Sequence, residues 1–153
     1  MDLSFHLGDL DSEDVQALLG FHFAQMRSTS PPEACHVLPG AELRHPSISF
    51  WSVRQHGTLL GVGALKRLDA AHGEIKSMRT APDALGRGVG RALLRHIIAH
   101  ARSGGYSRLS LETGRTEPFA AALRLYRSEG FVACGPFATY KDTPFTRFFT
   151  LEL

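Results

Sequence analysis

Only two cysteines, Cys35 and Cys134, occur among the 153 residues, and they lie far apart and outside any metal-type spacing. Neither a disulfide framework nor a cysteine-based metal centre is expected; the pair reads as reduced thiols in a cytoplasmic protein. Long apolar runs are also missing, so no membrane-spanning helix and no membrane partner is expected. The opening MDLSFHLGDLDSED is acidic and has no basic start followed by an apolar core, the pattern a signal peptide would need. No sign of charge dominates: the formal net charge is +2 with the eight histidines neutral, too little to argue for a nucleic-acid partner. What remains is 43% apolar and 21% charged residues, a composition that folds. At this length one domain is expected, burying roughly 68–70% of the unfolded chain's surface without a staple.

The N-terminal Leu3-Ser4-Phe5-His6-Leu7 alternates and reads as a strand. Asp11 or Ser12 can cap a helix from Glu13, with Val15, Leu18, Leu19, His22 and Met26 on one face, and Pro31-Pro32 lie beyond its end. Residues 33–47 read as loop with a short helix around 41–44. Strands at 48–53 and 59–65 flank the turn Gln55-His56-Gly57-Thr58, and a further strand at 74–80 completes an antiparallel meander. A helix over 88–102 turns Val89, Leu93, Leu94, Ile97, Ile98 and Ala101 inward; a strand at 108–113 follows. Thr116 and Pro118 open a last helix running to Glu129 and Gly130, and strands at 131–132 and 145–153 end the chain. The unit 74–80, 88–102, 108–113 is a right-handed crossover joining two parallel strands. The expected fold class is therefore α/β: a mixed, mostly antiparallel twisted sheet of about six to seven strands with about four helices, not a doubly wound one.

Leu85-Gly86-Arg87-Gly88-Val89-Gly90-Arg91-Ala92 joins a strand to a helix. Glycines let the backbone come close to a ligand, and the first amides of a helix have no partners of their own, so the loop suits a phosphate or pyrophosphate, with Arg87 and Arg91 at its rim. A helix-entry turn with no ligand uses the same glycines. The dinucleotide fingerprint fails at Arg91, and no Walker sequence is present.

Met78-Arg79-Thr80-Ala81-Pro82 followed by Gly86-Arg87-Gly88-Val89-Gly90-Arg91-Ala92-Leu93-Leu94 resembles the acetyl-CoA signature of the Gcn5-related N-acetyltransferases, [Arg/Gln]-x-x-Gly-x-[Gly/Ala]. Gly88 and Gly90 match; Leu85 stands where Arg or Gln is usual. Ala122-Leu123-Arg124-Leu125-Tyr126-Arg127-Ser128-Glu129-Gly130-Phe131 resembles the family's A-x-x-L-Y-x-x-x-G-F helix end, with Phe119 in the place of a frequent Asn. The element order over nearly the whole chain agrees.

The resemblance implies an acyl-CoA N-acyltransferase-like fold, a single N-acetyltransferase domain over 1–153, and transfer of acetyl from acetyl-CoA to a primary amine of a small molecule or peptide, without a metal. It implies a cosubstrate groove at Met78, Arg79, Thr80, Gly86, Arg87, Gly88, Val89, Gly90, Arg91, Phe119 and Tyr126, with a backbone amide near Met78 and Arg79 as oxyanion donor. Tyr126 is the candidate acid for the leaving thiolate; the other reading is a core tyrosine on a face with Phe119 and Ala122. The base is Glu74, Glu112 or a base acting through ordered water; period-two alternation puts Glu74, Lys76 and Met78 on one face. The acceptor is expected along 20–47 and 136–147, where His22, Arg27, Arg44 and Arg115 are the basic candidates. Tyr140, Phe145, Phe148 and Phe149 are read as core, acceptor wall or homodimer contact. His96 and His100 are read as a solvated helix face, and Arg87, Arg91, Arg95 and Arg102 as phosphate contacts or solvated charge. The alternative of another class is a non-catalytic acyl-CoA-binding or protein-interaction module on the same fold.

Overall fold

The computed structural model describes residues 2–35 and 41–153. β1 (Ser4–Leu7) leads into α1 (Glu13–Thr29); β2 (Ile48–Gln55), β3 (Thr58–Arg67) and β4 (His72–Thr80) follow; α2 (Val89–Ser103) crosses to β5 (Arg108–Gly114); α3 (Ala120–Ser128) precedes β6 (Val132–Cys134) and β7 (Thr146–Glu152). The seven strands form one sheet in the order β1-β2-β3-β4-β5-β7-β6. Its pairings are antiparallel except β4 with β5, which the α2 crossover makes parallel. The described residues hold three α-helices rather than about four. The 41–44 segment makes only a 3-10 turn at Glu42–Arg44, because Pro46 disfavours helix at His45 and cannot extend one.

The sheet separates two apolar layers. On one face Phe50, Val62 and Ala64 meet Val15 and Leu18 of α1. On the other, Leu65, Ile75, Leu109 and Leu111 meet α2 and α3. All six inward positions read for α2 are buried, each large one contributing about 1.5–3 kcal/mol. That stripe outweighs the helix caps, worth about 1 kcal/mol each. Neither expected cap forms: the Ser12 hydroxyl donates to Asp9 instead, joining Ser52 and Arg54 on the same carboxylate. The hairpin turn is formed by His56 and Gly57 with φ of 51° and 82°, the two positive angles that a two-residue turn matching strand twist requires.

The histidines of α2 divide: His100 is exposed, as a solvated face requires, whereas His96 is half-buried. His96 stacks on Phe5 with ring centroids 4.2 Å apart, and His100 meets the edge of Trp51 at 4.8 Å. His96 thereby covers Phe5 of β1 and, at 5.7 Å, Trp51 of β2. No helix among the described residues is long and apolar enough to cross a membrane.

Candidate functional site

The sheet opens in its middle. β4 and β5 pair only at His72↔Arg108, Gly73↔Leu109 and Glu74↔Ser110. Past Glu74 they part, while β4 stays on β3 and β5 stays on β7 as far as Gly114. The wedge is a cleft of about 220 Å³ walled by both strands, by His22, Gln25, Met26 and Thr29 of α1, and by Pro118, Phe119 and Tyr126. On their β5 side the backbone groups of β4 beyond Glu74 have no strand partner, so they line the cleft as open donors and acceptors.

A bulge sets which side chains enter it. Ser77 has a φ of 57°, and the β3–β4 register shifts between Val62 and Ala64. The extra residue inverts the alternation downstream. Glu74 and Lys76 share a face as the sequence suggests, but Met78 does not join them. Its side chain packs into the α2 layer, and its Sδ would lie 2.6 Å from a Cβ built on Gly63. Arg79 is thereby turned to the α1 face, where its Nε donates to His22 Nδ1 at 2.9 Å.

Glu74 is buried, and so is Lys76 beside it. Lys76 Nζ reaches Glu74 Oε2 at 3.2 Å and Tyr140 Oη at 2.7 Å, while Tyr140 Oη donates to the same Oε2 at 2.5 Å. No described residue donates to Oε1, and Glu74 faces the cleft. Burial, then the adjacent Glu74 charge, pushes the Tyr140 phenol well above its ordinary range, so it is a donor at any working pH. Glu112 lies across the cleft on β5. Tyr140 and Lys76 carry no signature of their own in the sequence. Lys76 was legible only as the alternation partner of Glu74, and Tyr140 only as one aromatic within the expected acceptor stretch.

Tyr126 comes from α3 to the opposite side of the wedge. It is 7% exposed and lines the cleft, and its hydroxyl hydrogen-bonds to no described residue. Burial pushes its phenol up to about 12, against an opposing pull from Arg79. Phe119 lines the same wall and meets Phe145 edge-on at 5.6 Å.

The glycine loop enters α2 on the sheet's far side. Gly88 is its N-cap with φ 80° and ψ 12°, and no side chain caps the helix. No oxygen of the described residues accepts from the backbone N–H groups of Gly86 through Arg91. These amides and the positive end of the helix dipole form an open anion cradle. Thr80 flanks it: its Oγ1 would lie 3.7 Å from a Cβ on Gly90. The arginine side chains are more committed than the sequence implies. Arg91 bonds Glu129, and Ser128 at 2.9 Å, Arg95 reaches Glu129 at 3.1 Å, and Arg87 donates to Gln55 at 2.7 Å. They tie α2 to α3 and the loop to β2.

Among the acceptor candidates His22 enters the cleft, whereas Arg44 pairs with Asp11 at 2.6 Å, Arg115 donates to the Thr146 carbonyl at 3.0 Å and Arg27 lies over Phe23. Part of the expected 20–47 stretch, residues 36–40, lies outside the described residues. Cys35 and Cys134 are both free thiols.

With this geometry in hand, similarity to known proteins is informative. The sequence profile of the acetyltransferase (GNAT) family matches residues 14–131. The chain is 49% identical over 145 residues to the uncharacterized N-acetyltransferase YedL of Escherichia coli, covering 95% of this chain and 91% of that protein. It is 47% identical over 147 residues to the uncharacterized N-acetyltransferase YsnE of Bacillus subtilis, covering 96% and 97%. A GNAT family acetyltransferase from Elizabethkingia anophelis, solved with acetyl-CoA bound, superposes with a TM-score of 0.74 at 19% identity over 99% of each chain.

Proposed function

The chain belongs to the acetyltransferase (GNAT) family, and on that premise we propose that its cleft moves the acetyl group of acetyl-CoA directly to a small primary amine. One observation carries the reading: the wedge between β4 and β5 brings Glu74, Glu112 and Tyr126 to a single cleft, and the glycine loop that follows β4 enters α2 without a side-chain cap. The residues fit the cosubstrate. Backbone amides of Gly86–Arg91 suit its diphosphate, and the open edge of β4 at Met78 and Arg79 suits its amide-bearing arm and the thioester oxygen. The relative solved with acetyl-CoA bound shares this fold.

The chemistry asks for three things. The acceptor ammonium must lose a proton, its nitrogen must attack the thioester carbon, and the C–S bond must break with a proton supplied to the thiolate. Glu74 Oε1 takes the first proton, directly or through water. A backbone N–H near Met78 bears the oxyanion, a contact worth about 3 kcal/mol of barrier. Tyr126 gives its phenolic proton to the departing sulfur. The whole of 1–153 acts as one N-acetyltransferase domain, and its two reduced thiols suit the cytoplasm.

Calorimetric titration with acetyl-CoA, followed by thiol release on a panel of primary amines, tests this. Saturable binding with amine-dependent thiol release is expected. No binding at millimolar acetyl-CoA overturns the assignment, and binding without turnover on any amine makes the chain a non-catalytic acyl-CoA module.

A further inference from the structure

Arg79 is a cation without a counter-ion among the described residues. It is half-buried in the cleft wall, and no carboxylate of the described residues pairs with it. The only hydrogen bond of its side chain to a described residue runs from Nε to His22 Nδ1 at 2.9 Å, and the Phe21 ring lies 5.7 Å below the guanidinium. These contacts fix the plane of the guanidinium and leave both Nη groups without a partner among the described residues. A fork held this way is preorganised for a planar two-oxygen anion.

We propose that Arg79, oriented by His22, is the anchor for a carboxylate on the acceptor, so that the enzyme acetylates a small amine that is itself an acid, of the amino-acid type. The inference rests on the acetyl-transfer reading and names its acceptor class.

Three observations lead there. First, the anion does not come with acetyl-CoA. The charged end of that molecule belongs at the loop 86–91, at the start of α2, while the bulge at Ser77 turns Arg79 to the α1 face. The arm between thioester and diphosphate is uncharged. Second, the cleft's other charges are already matched or of the opposite sign. Lys76 is spent on Glu74, and Glu74 and Glu112 line the walls with Arg79. Acidic groups beside one unmatched guanidinium complement an ammonium and a carboxylate on one molecule. A phosphate would call for more than the one unmatched cation that the described residues bring to the cleft. Third, the cleft's volume of about 220 Å³ is below the roughly 300–1,000 Å³ of drug-sized pockets. It holds an acetyl group and a compact acceptor. His22 supports the arrangement: burial, then the Arg79 charge, lowers it to about 4. It stays neutral above that pH, so Nδ1 keeps accepting from Arg79.

The test uses amines in matched sets, each as the free acid, the carboxamide and the decarboxylated amine, with wild type and Arg79→Met. Turnover and calorimetric binding are both read. Free acids are expected to exceed their neutral partners in kcat/KM by about tenfold or more, the scale of one charge-assisted pair. Arg79→Met should collapse that preference through the acceptor KM. Equal turnover of acids and neutral partners in wild type, or a preference surviving in Arg79→Met, overturns the carboxylate anchor and leaves acetyl transfer standing. Binding of the free acids that Arg79→Met abolishes, without turnover of any set, supports the anchor and overturns the transfer reading. Neither binding nor turnover of any free acid overturns the anchor.

Discussion

Tyr140 Oη and Glu74 Oε2 lie 2.5 Å apart, joined across 66 positions of sequence and closed into a triangle by Lys76. The contact fastens the segment before β7 onto the strand that carries the candidate base. It also leaves one carboxylate oxygen committed and the other turned to the cleft. Lys76 and Glu74 have side chains only 7% and 2% exposed, so neither charge can fall back on water if the other is removed.

Lys76→Met should therefore cost about 3–5 kcal/mol of stability, the usual penalty for stranding one member of a buried ion pair. Adding Glu74→Gln removes the stranded charge and should recover most of that loss. Urea unfolding of the two variants and the double variant measures it. Additive losses would show that the two charges do not interact as the distances require.

His22 gives a pH dependence with a definite sign. Its folded value is about 4 against an ordinary 6.5, lowered by burial and then by Arg79. Below 6.5 the unfolded chain takes up a proton that the folded chain refuses, so this part of the stability is present above 6.5 and is lost as pH falls toward 4. His22→Asn keeps an acceptor for Arg79 without the titration. Its unfolding free energy should fall less steeply than that of wild type over that interval.

Much of the fold was readable because it rests on periodicity. The α2 stripe, the meander and the crossover each repeat over enough residues to be unambiguous. Of the candidate site, what was readable is where a backbone shape is needed, as at Gly88 with its positive φ, or where a motif places a residue on the cleft, as at Tyr126. The alternation rule failed at Met78, since one residue in a left-handed conformation at Ser77 inverts every side chain after it and Ser77 carries no mark of this. Lys76–Tyr140 and Arg79–His22 are contacts between segments distant in sequence. Nothing local to either partner announces them. Caps misled for a related reason: Ser12 had the right chemistry, but Asp9 offered its hydroxyl a charged acceptor.

Gly114 supports the cleft wall by having no side chain. A Cβ there would come within 2.5 Å of the Phe119 ring and 2.7 Å of Phe145. The two rings already meet edge-on at 5.6 Å and Phe119 is buried, so neither can turn away without meeting the other. Gly114→Ala should cost about 1–3 kcal/mol, the range for overpacking a filled core, and should raise KM values by displacing Phe119. Thermal melting and steady-state kinetics read the two effects. An unchanged melting temperature would mean that the wall is loosely packed.

Tyr126 separates acid catalysis from structural support. Tyr126→Phe removes one oxygen from a ring that otherwise keeps its packing against Phe131, so acetyl-CoA affinity should hold while kcat falls about 10²-fold, the lower range for a lost general acid. The phenol supplies a second, independent readout. Its folded value is about 12 against an ordinary 10.0 because burial penalises the phenolate. The folded chain therefore keeps a proton that the unfolded chain sheds, and wild type should lose stability as pH rises from 10 toward 12. Tyr126→Phe should lack that portion of the loss. A variant with both an unchanged kcat and an unchanged alkaline stability curve would remove Tyr126 from the site.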